Sequence, residues 1–306
     1  MDTRAAHTAE HAFVGALQKV LGQTLRVRKV EHKKDGNTAF IVVPQLGIDA
    51  VVKAENMVNA LIAEGRQVTT RSYPSLEEAK KHNPSLRANE ERIAGEVRVV
   101  EIEGHDVTAC AMEHAANLRE CEFFLATRLS KSGNEYEVDF VVGSQARDAA
   151  VALSAKMMRV CEELGANPNT VESTARKARA EGDANFKKAK ALSREKLDAL
   201  VPVSNGKVSV LKGALSGLAD EALLEFAGDM IAKQNTAVIL SNAGAPEMAY
   251  FIFARSEAMN LDCNKLFRET AGADGRGGGK PHFVTGVVRK EKARQIIDAI
   301  SESVLR

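Results

Sequence analysis

The chain has 306 residues, of which 44% are hydrophobic and 27% are charged, and its formal net charge is +1 at pH 7. This composition is ordinary for a soluble globular protein, and the length is sufficient for two domains. No apolar run approaches the length needed to cross a bilayer, and the N-terminus lacks the basic-then-apolar order of a signal peptide. Four cysteines are too few for a disulfide framework. We expect a cytoplasmic protein without a membrane partner.

An α+β domain, a sheet with packed helices, is predicted for residues 1–145. Apolar residues recur at helical spacing from His7 to about Gly22, and a second helix is predicted over residues 56–64. Alternating or β-rich runs predict strands, and these runs cover residues 24–31, 39–43, 67–72, 97–103 and 136–142. We expect these strands to follow one another in meander order.

The rest of the chain is predicted to form a helical hairpin and then a compact α/β domain. The hairpin covers residues 146–200, with a turn at Gly165–Asn169. Residues 201–306 alternate between strand-like and helix-like segments, and the segment Gly275–Pro281 is interpreted as a glycine-rich loop. The predicted strands there are 207–212, 236–242, 249–254 and 283–288, and the predicted helices are 217–233, 260–272 and 290–305.

Two pairs of side chains have the spacing of metal ligands. His7 and His11 lie four residues apart in the first predicted helix, so both imidazoles project from one face. Cys110 and His114 repeat this spacing after a predicted strand. Zinc favours a mixture of imidazole nitrogen and thiolate sulfur. The sequence therefore predicts a zinc site formed by these four residues, with three or four of them bound at once.

The first pair also matches H-x-x-E-H, the inverted signature of zinc proteases. In that interpretation Glu10 is the general base and a distant glutamate is the third ligand, while Cys110 and His114 have no role. Outside that interpretation, Glu10 and Glu113 each precede a ligand histidine. Either carboxylate could orient an imidazole or move a proton, so both are catalytic candidates.

The order of these two pairs, about a hundred residues apart, resembles the editing domain of alanyl-tRNA synthetase and the free-standing AlaX proteins that share it. The segments around both pairs, Arg4–Gly22 and Asp106–His114, are similar to the corresponding segments of AlaX. The resemblance implies a zinc-dependent aminoacyl-tRNA deacylase, a carboxylic ester hydrolase. Its substrate would be alanine tRNA mischarged with serine or glycine, bound at the acceptor end.

The resemblance extends across nearly the whole chain. Residues 146–200 look like the helical hairpin that follows the editing core, and residues 201–306 resemble the DHH-associated C-terminal domain of the synthetase. No segment resembles the aminoacylation domain or the DHH phosphoesterase motif. The stretch Asn117–Glu122 departs from the family's usual Thr-Gly-Glu-Ile-Gly segment and keeps only its glutamate, Glu120. Because that segment lines the substrate pocket in relatives, Asn117 and Glu120 are pocket candidates, and a tRNA-binding protein with an inactive site is the alternative function.

Positive charge is concentrated in the second half of the chain. Residues 176–212 contain ten Lys/Arg and four Asp/Glu, and residues 268–294 contain seven and three. These segments predict either solvated surfaces or contacts with RNA phosphates. In the glycine segment, the backbone can approach phosphate or sugar closely, so we expect tRNA binding by Arg276, Gly277, Gly278, Gly279 and Lys280. A purely structural bend is the alternative interpretation of the individual glycines. A homodimer through the helical linker or the C-terminal domain is also considered.

Overall fold

In the computed structural model, the described residues are 3–33, 36–88, 93 and 95–306. The chain divides into two compact units, 1–168 and 169–306. The division falls in the turn between the two long helices that the sequence predicted as a hairpin. The boundaries predicted at residues 145 and 200 stay predictions. Among the described residues, no helix is both long and apolar enough to cross a membrane.

The first unit contains two antiparallel sheets and four helices within its described residues. Its elements in chain order are α1 (Thr3–Leu21), β1 (Arg26–Lys33), β2 (Gly36–Val42), α2 (Ile48–Glu64), β3 (Val68–Tyr73), α3 (Leu76–His82), β4 (Val97–Ile102), β5 (Asp106–Ala109), β6 (Phe124–Ser132), β7 (Glu135–Val142) and α4 (Ser144–Glu163). One sheet has the order β1-β2-β7-β6 and the other the order β3-β4-β5. The mixed α and β content is as predicted.

A single meander is the wrong order for this unit. The hairpin of β6 and β7 joins the first sheet through β7, which pairs antiparallel with β2, so strands distant in sequence become neighbours. The strand β6 was missed because most of its residues are exposed or half-buried and give no clear alternation. The helix α2 begins at Ile48, eight residues before the predicted start at Asn56.

The helix α1 lies at the centre of the first unit. Its residues are buried from Ala5 to Leu17 on all sides, because α2, β5, β7 and a short 3₁₀ turn at Leu118–Cys121 all contact it. The ring of Phe13 stacks on Phe124 at 4.9 Å, and Phe124 stacks on Phe140 at 5.2 Å. Polar side chains in this stretch of α1 are therefore held in fixed positions inside the unit.

The second unit is a sheet covered by helices on both faces. Its elements are α5 (Val171–Asp198), β8 (Val203–Ser204), β9 (Ser209–Ser216), α6 (Asp220–Ile231), β10 (Thr236–Ala243), β11 (Met248–Arg255), α7 (Cys263–Ala271), β12 (Gly275–Lys280), β13 (Phe283–Arg289) and α8 (Ala293–Leu305). The strand order is β12-β13-β11-β10-β9-β8, and the pair β9–β10 is parallel. Successive residues of β10 face opposite cores: Ile239 contacts the side of α7 and α8, and Val238 and Leu240 the side of α6. This explains the continuous apolar run of that strand.

The interpretation of residues 275–281 as a loop was wrong. Residues 275–280 form β12, an edge strand paired antiparallel with β13. A Cβ atom at Gly277 would lie 2.6 Å from the carbonyl oxygen of Thr285, and one at Gly279 would lie 2.2 Å from that of Phe283. These two glycines therefore permit the close approach of two strands. At Gly278, by contrast, a Cβ would meet no atom within 4 Å.

We predict that Gly277→Ala destabilises the second unit by about 1–3 kcal/mol, because the added methyl group forces β12 away from β13. Gly278→Ala is the matched control and should leave the free energy of unfolding within about 0.5 kcal/mol of the original. Urea denaturation of the full chain measures both. Equal midpoints for the two variants would contradict the close packing of these strands.

Candidate metal centre

Three polar side chains of α1 are buried together near its N-terminal end. His7 and His11 are one turn apart and retain 7% and 4% of their accessible surface. Glu10, at 4% exposure, lies between them, with its Oε2 atom 3.7 Å from His7 Nδ1 and 3.6 Å from His11 Nε2. The helical spacing of four residues thus puts both imidazoles on one face, as predicted.

The second pair lies in the loop that follows β5. The backbone N–H of Cys110 donates to the carbonyl of Arg98 in β4, so the pairing of β4 with β5 extends one residue further, to Cys110. The N–H of Ala115, next to His114, donates to the hydroxyl of Thr8 at 3.0 Å, and this hydroxyl donates to the carbonyl of Arg4. Thr8, between the two histidines of α1, therefore fixes the loop against the helix.

The two pairs meet in one group of four. His7 Nε2 lies 3.1 Å from Cys110 Sγ and 3.2 Å from His11 Nε2, and the His114 ring centroid lies 4.7 Å from those of both histidines. The four potential ligand atoms lie within 4.8 Å of one another. A zinc tetrahedron with ordinary bond lengths has ligand separations of about 3.5 Å, so small adjustments in both directions would bring the four atoms to the separations of one zinc site.

The hydrogen bonds around the group leave ligand atoms available. The Nδ1–H of His114 donates to the carbonyl of Met112 at 2.9 Å, which leaves its buried Nε2 unprotonated and without a partner. A ring fixed in this way by a backbone carbonyl is typical of metal-bound histidine. The orphaned nitrogen and the soft donor set fit a zinc ion. Four protein ligands are the number found in closed zinc sites, whereas catalytic sites keep one position open.

Burial sets the protonation of the ligands. It lowers the pKa of His7 to about 3, with further contributions from His114 and His32, and it lowers the pKa of His11 and of His114 as well. The three imidazoles are therefore neutral near pH 7 and can coordinate a metal. Burial also raises the pKa of the Cys110 thiol, so metal binding must displace a proton from its sulfur.

A buried ion pair lies beside the ligand group. The guanidinium of Arg87 makes two hydrogen bonds to the carboxylate of Asp106, at 2.9 and 2.7 Å, and the hydroxyl of Thr108 donates to the same carboxylate. Arg87 is held there because residue 87 pairs with β5, donating to Val107 O and accepting from Ala109 N. Burial raises the pKa of Glu10 to about 7, against the opposing effect of Arg87. No spacing rule in the sequence indicated this pair.

A cavity of about 760 Å³ opens next to the ligand group. Its walls are the face of α1 that carries His7 and His11, the edge strand β1 and residues 84–88. The residues that line it are His7, Glu10, His11, Thr24–Val30, Pro84–Ala88, Thr108 and Ala109. This volume lies within the range of pockets that enclose a small-molecule ligand.

The other residues predicted near the site lie around its margin. Glu113 is exposed. The side chain of Asn117 accepts from Arg119 N and donates to Gly65 O, while Glu120 accepts from the N–H groups of Ala116 and Asn117. Both side chains thus cap the 3₁₀ turn, and neither lines the cavity beside the metal ligands. Their role as pocket residues stays a prediction.

Two further residues near the site belong outside the ligand set. The sulfur of Cys121 donates to the carbonyl of Ala5 in the core. His32 packs edge-on against His7, with ring centroids 5.5 Å apart, and its Nδ1–H donates to Asn37. No spacing pattern predicted the position of His32, because it lies on β1 and not at ligand spacing from the other histidines.

Of the residues predicted to bind tRNA, Arg276 and Lys280 are exposed on the edge strand β12 and form no ion pair among the described residues. In the basic segment 176–212, more of the positive charge is paired with carboxylates than the composition of the segment suggested. Several of its cations pair with carboxylates, partly from other elements of the second unit; these pairs are Lys190–Glu225, Arg194–Asp229, Lys212–Asp298, Arg176–Glu172 and Lys177–Glu181. Net charge along the sequence therefore overstates the unpaired positive charge there.

The fold and the four-ligand group define a mixed α/β protein with a site suited to zinc. No family model matches the chain. It is 25% identical to an alanine–tRNA ligase from Ignicoccus hospitalis, over 97% of this chain and 32% of the ligase, and 26% identical to one from Thermus thermophilus, over 98% and 35%. The chain thus spans about a third of the length of these relatives. The resemblance to alanyl-tRNA synthetase is confirmed over nearly the whole chain.

Among solved structures, the C-Ala domain from Aquifex aeolicus alanyl-tRNA synthetase matches 35% of this chain and 98% of that chain. The sequence identity is 14% and the TM-score is 0.31, a score too low to establish a common fold.

We predict that the chain binds one zinc ion and that Cys110→Ser weakens this binding at least tenfold, because a hydroxyl is a poor zinc ligand beside imidazoles. Cys161→Ser is the control, since Cys161 is also a buried thiol but lies on α4 outside the group. Metal content after dialysis and competition with a chromogenic chelator measure both variants. Equal loss of zinc from both would contradict the assignment.

Proposed function

We propose that this protein is a trans-editing hydrolase that removes serine or glycine from mischarged alanine tRNA. The observation that carries the proposal is the group of three neutral imidazoles and one thiol, of which His7 and His11 line a cavity of about 760 Å³. Sequence similarity to alanine–tRNA ligases over nearly the whole chain supports the substrate class. The reaction is hydrolysis of the ester between the amino acid and the terminal adenosine.

His7, His11, Cys110 and His114 would hold a zinc ion, and with three of them bound the open position would supply the Lewis acidity that polarises an ester carbonyl or lowers the pKa of a water molecule. The residues of the protein must move the protons of the reaction. Hydrolysis breaks the bond between the acyl carbon and the ribose oxygen, and water provides the new hydroxyl on the acyl carbon. A proton leaves the attacking water, and the ribose oxygen gains one as it departs.

We assign to Glu10 the transfer of the proton from the attacking water to the departing ribose oxygen. Its carboxyl group lies within 3.7 Å of the rings of His7 and His11 and lines the cavity. It is attached to the buried helix α1, which limits its motion. Glu113, the other catalytic candidate, is exposed in the loop, and Glu10 is therefore the better placed of the two.

The inverted protease is disfavoured by the ligand set. That interpretation requires a distant glutamate as the third ligand, whereas the described residues that complete the group are Cys110 and His114. The inactive tRNA-binding protein is the alternative that the assay below excludes or supports. We also propose that the protein is cytoplasmic and that residues 201–306 correspond to the DHH-associated domain and hold tRNA.

We predict that the zinc-loaded protein deacylates seryl- or glycyl-tRNA of the alanine isoacceptor faster than alanyl-tRNA, and that a chelator abolishes this activity. Glu10→Gln should lower kcat at least a hundredfold while the zinc content stays at one ion per chain, because the amide cannot accept the proton. Release of the radiolabelled amino acid measures the rate.

Cys110→Ala serves as the comparison in this assay, and it should lose zinc and activity together. Zinc and tRNA binding without turnover of any mischarged tRNA would leave the protein as a binding protein with an inactive site. Full activity in Cys110→Ala would overturn the proposed function.

We predict that the double variant Arg276→Gln, Lys280→Gln raises the KM for tRNA about threefold to tenfold and leaves kcat unchanged, because two phosphate contacts on β12 are lost. The double variant Lys177→Gln, Arg176→Gln removes two cations that already pair with Glu181 and Glu172 on the same helix, and it should change KM less. Identical KM values in both double variants would exclude β12 as a tRNA contact.

A further inference from the structure

Residues 110–116 form the loop that carries two of the four candidate ligands, and both ends of this loop are bonded to the sheet of β3, β4 and β5. At one end the N–H of Cys110 donates to the carbonyl of Arg98 in β4 at 2.9 Å. At the other end the carbonyl of Ala116 accepts from the N–H of Val68 in β3 at 2.9 Å. Neither bond reaches α1 directly, although α1 carries the other two candidate ligands.

The hydroxyl of Thr8 connects this loop to α1. Its O–H donates to the carbonyl of Arg4 at 2.7 Å, so its lone pairs are left to accept the N–H of Ala115 at 3.0 Å. Both ends of the second bond lie next to candidate ligands, because Thr8 follows His7 in α1 and Ala115 follows His114. Thr8 is fully buried, so solvent has little access to its bond with Ala115.

We infer that Thr8 is a positioning residue for the metal, because its hydroxyl holds the loop at the distance from α1 at which the four side chains can bind one ion. The potential ligand atoms lie within 4.8 Å of one another, although the two ligand pairs are far apart in the sequence. Groups that orient metal ligands without touching the ion typically change metal affinity about 10- to 100-fold when they are removed. The inference concerns metal binding alone and does not depend on the reaction that the site catalyses.

The test compares the zinc affinity of Thr8→Val and Thr8→Ser in the full chain, measured at one pH by competition with a chromogenic chelator. Valine has the shape of threonine but cannot accept from Ala115, so Thr8→Val should weaken zinc binding at least about tenfold. Serine keeps the hydroxyl, so Thr8→Ser should keep most of the affinity. An unchanged affinity in Thr8→Val would overturn the inference, and so would equal losses in the valine and serine variants.

Thr236→Val is the matched control. Thr236 is a buried threonine of the second unit whose hydroxyl donates to the carbonyl of Gln234 at 3.2 Å, and it lies outside the candidate ligand group. This variant also loses the hydrogen bond of a buried hydroxyl, but its zinc affinity should equal that of the original protein. A loss as large as that in Thr8→Val would overturn the inference, because reduced stability would then explain both results.

A measurement on the original chain covers the case in which Thr8→Val does not fold. Hydrogen exchange of the Ala115 amide, followed in the zinc-free protein, should be at least about a hundredfold slower than in an unfolded chain, because the bond to Thr8 is made by the protein alone. Exchange at the rate of an unfolded chain would overturn the inference, since the loop would then have no fixed position before the metal binds.

Discussion

The hydrogen bond from the backbone of Ala115 to the hydroxyl of Thr8 joins the two halves of the metal centre. It fixes the loop that carries Cys110 and His114 directly against α1, which carries the other two candidate ligands about a hundred residues away in the sequence. Thr8 is fully buried and bonds to both sides, so the loop cannot move without leaving polar groups unsatisfied. Each such buried group costs about 1–3 kcal/mol.

The burial of α1 has an energetic cost, because polar side chains are buried with it. Helices usually bury one apolar stripe, but this one also buries two histidines and a glutamate. Among the residues that the structure describes, the Nδ1 atoms of His7 and His11 and the Nε2 atom of His114 have no hydrogen-bond partner. A metal ion bound by this group would give the Nε2 atom of His114 a partner, and its binding free energy would contribute to folding. Arg87 and Asp106 form a second buried polar group beside the histidines, in which the carboxylate of Asp106 balances the positive charge of Arg87.

Predictions from the sequence were accurate where a short-range pattern carried the information. The gathering of His7, His11, Cys110 and His114 into one group that could hold a metal followed from two i,i+4 pairs. The strands of the second unit followed from long apolar runs such as β10, whose two faces are both covered. Predictions were wrong where one local pattern is compatible with two structures. The glycines of residues 275–279 suit a phosphate-binding loop, but in this protein they let β12 approach β13 closely.

Residue type and spacing within a few turns were enough to predict the candidate ligand group, the long helices α1, α4 and α5 and the resemblance to alanyl-tRNA synthetase. The tertiary structure decided which groups surround the ligands. Arg87, Asp106 and His32 reach the site through strand pairing, and Ala115 reaches Thr8 because its loop is bonded to β3 and β4. The sequence contains no period that relates these positions, since they become neighbours only when the sheets close around α1.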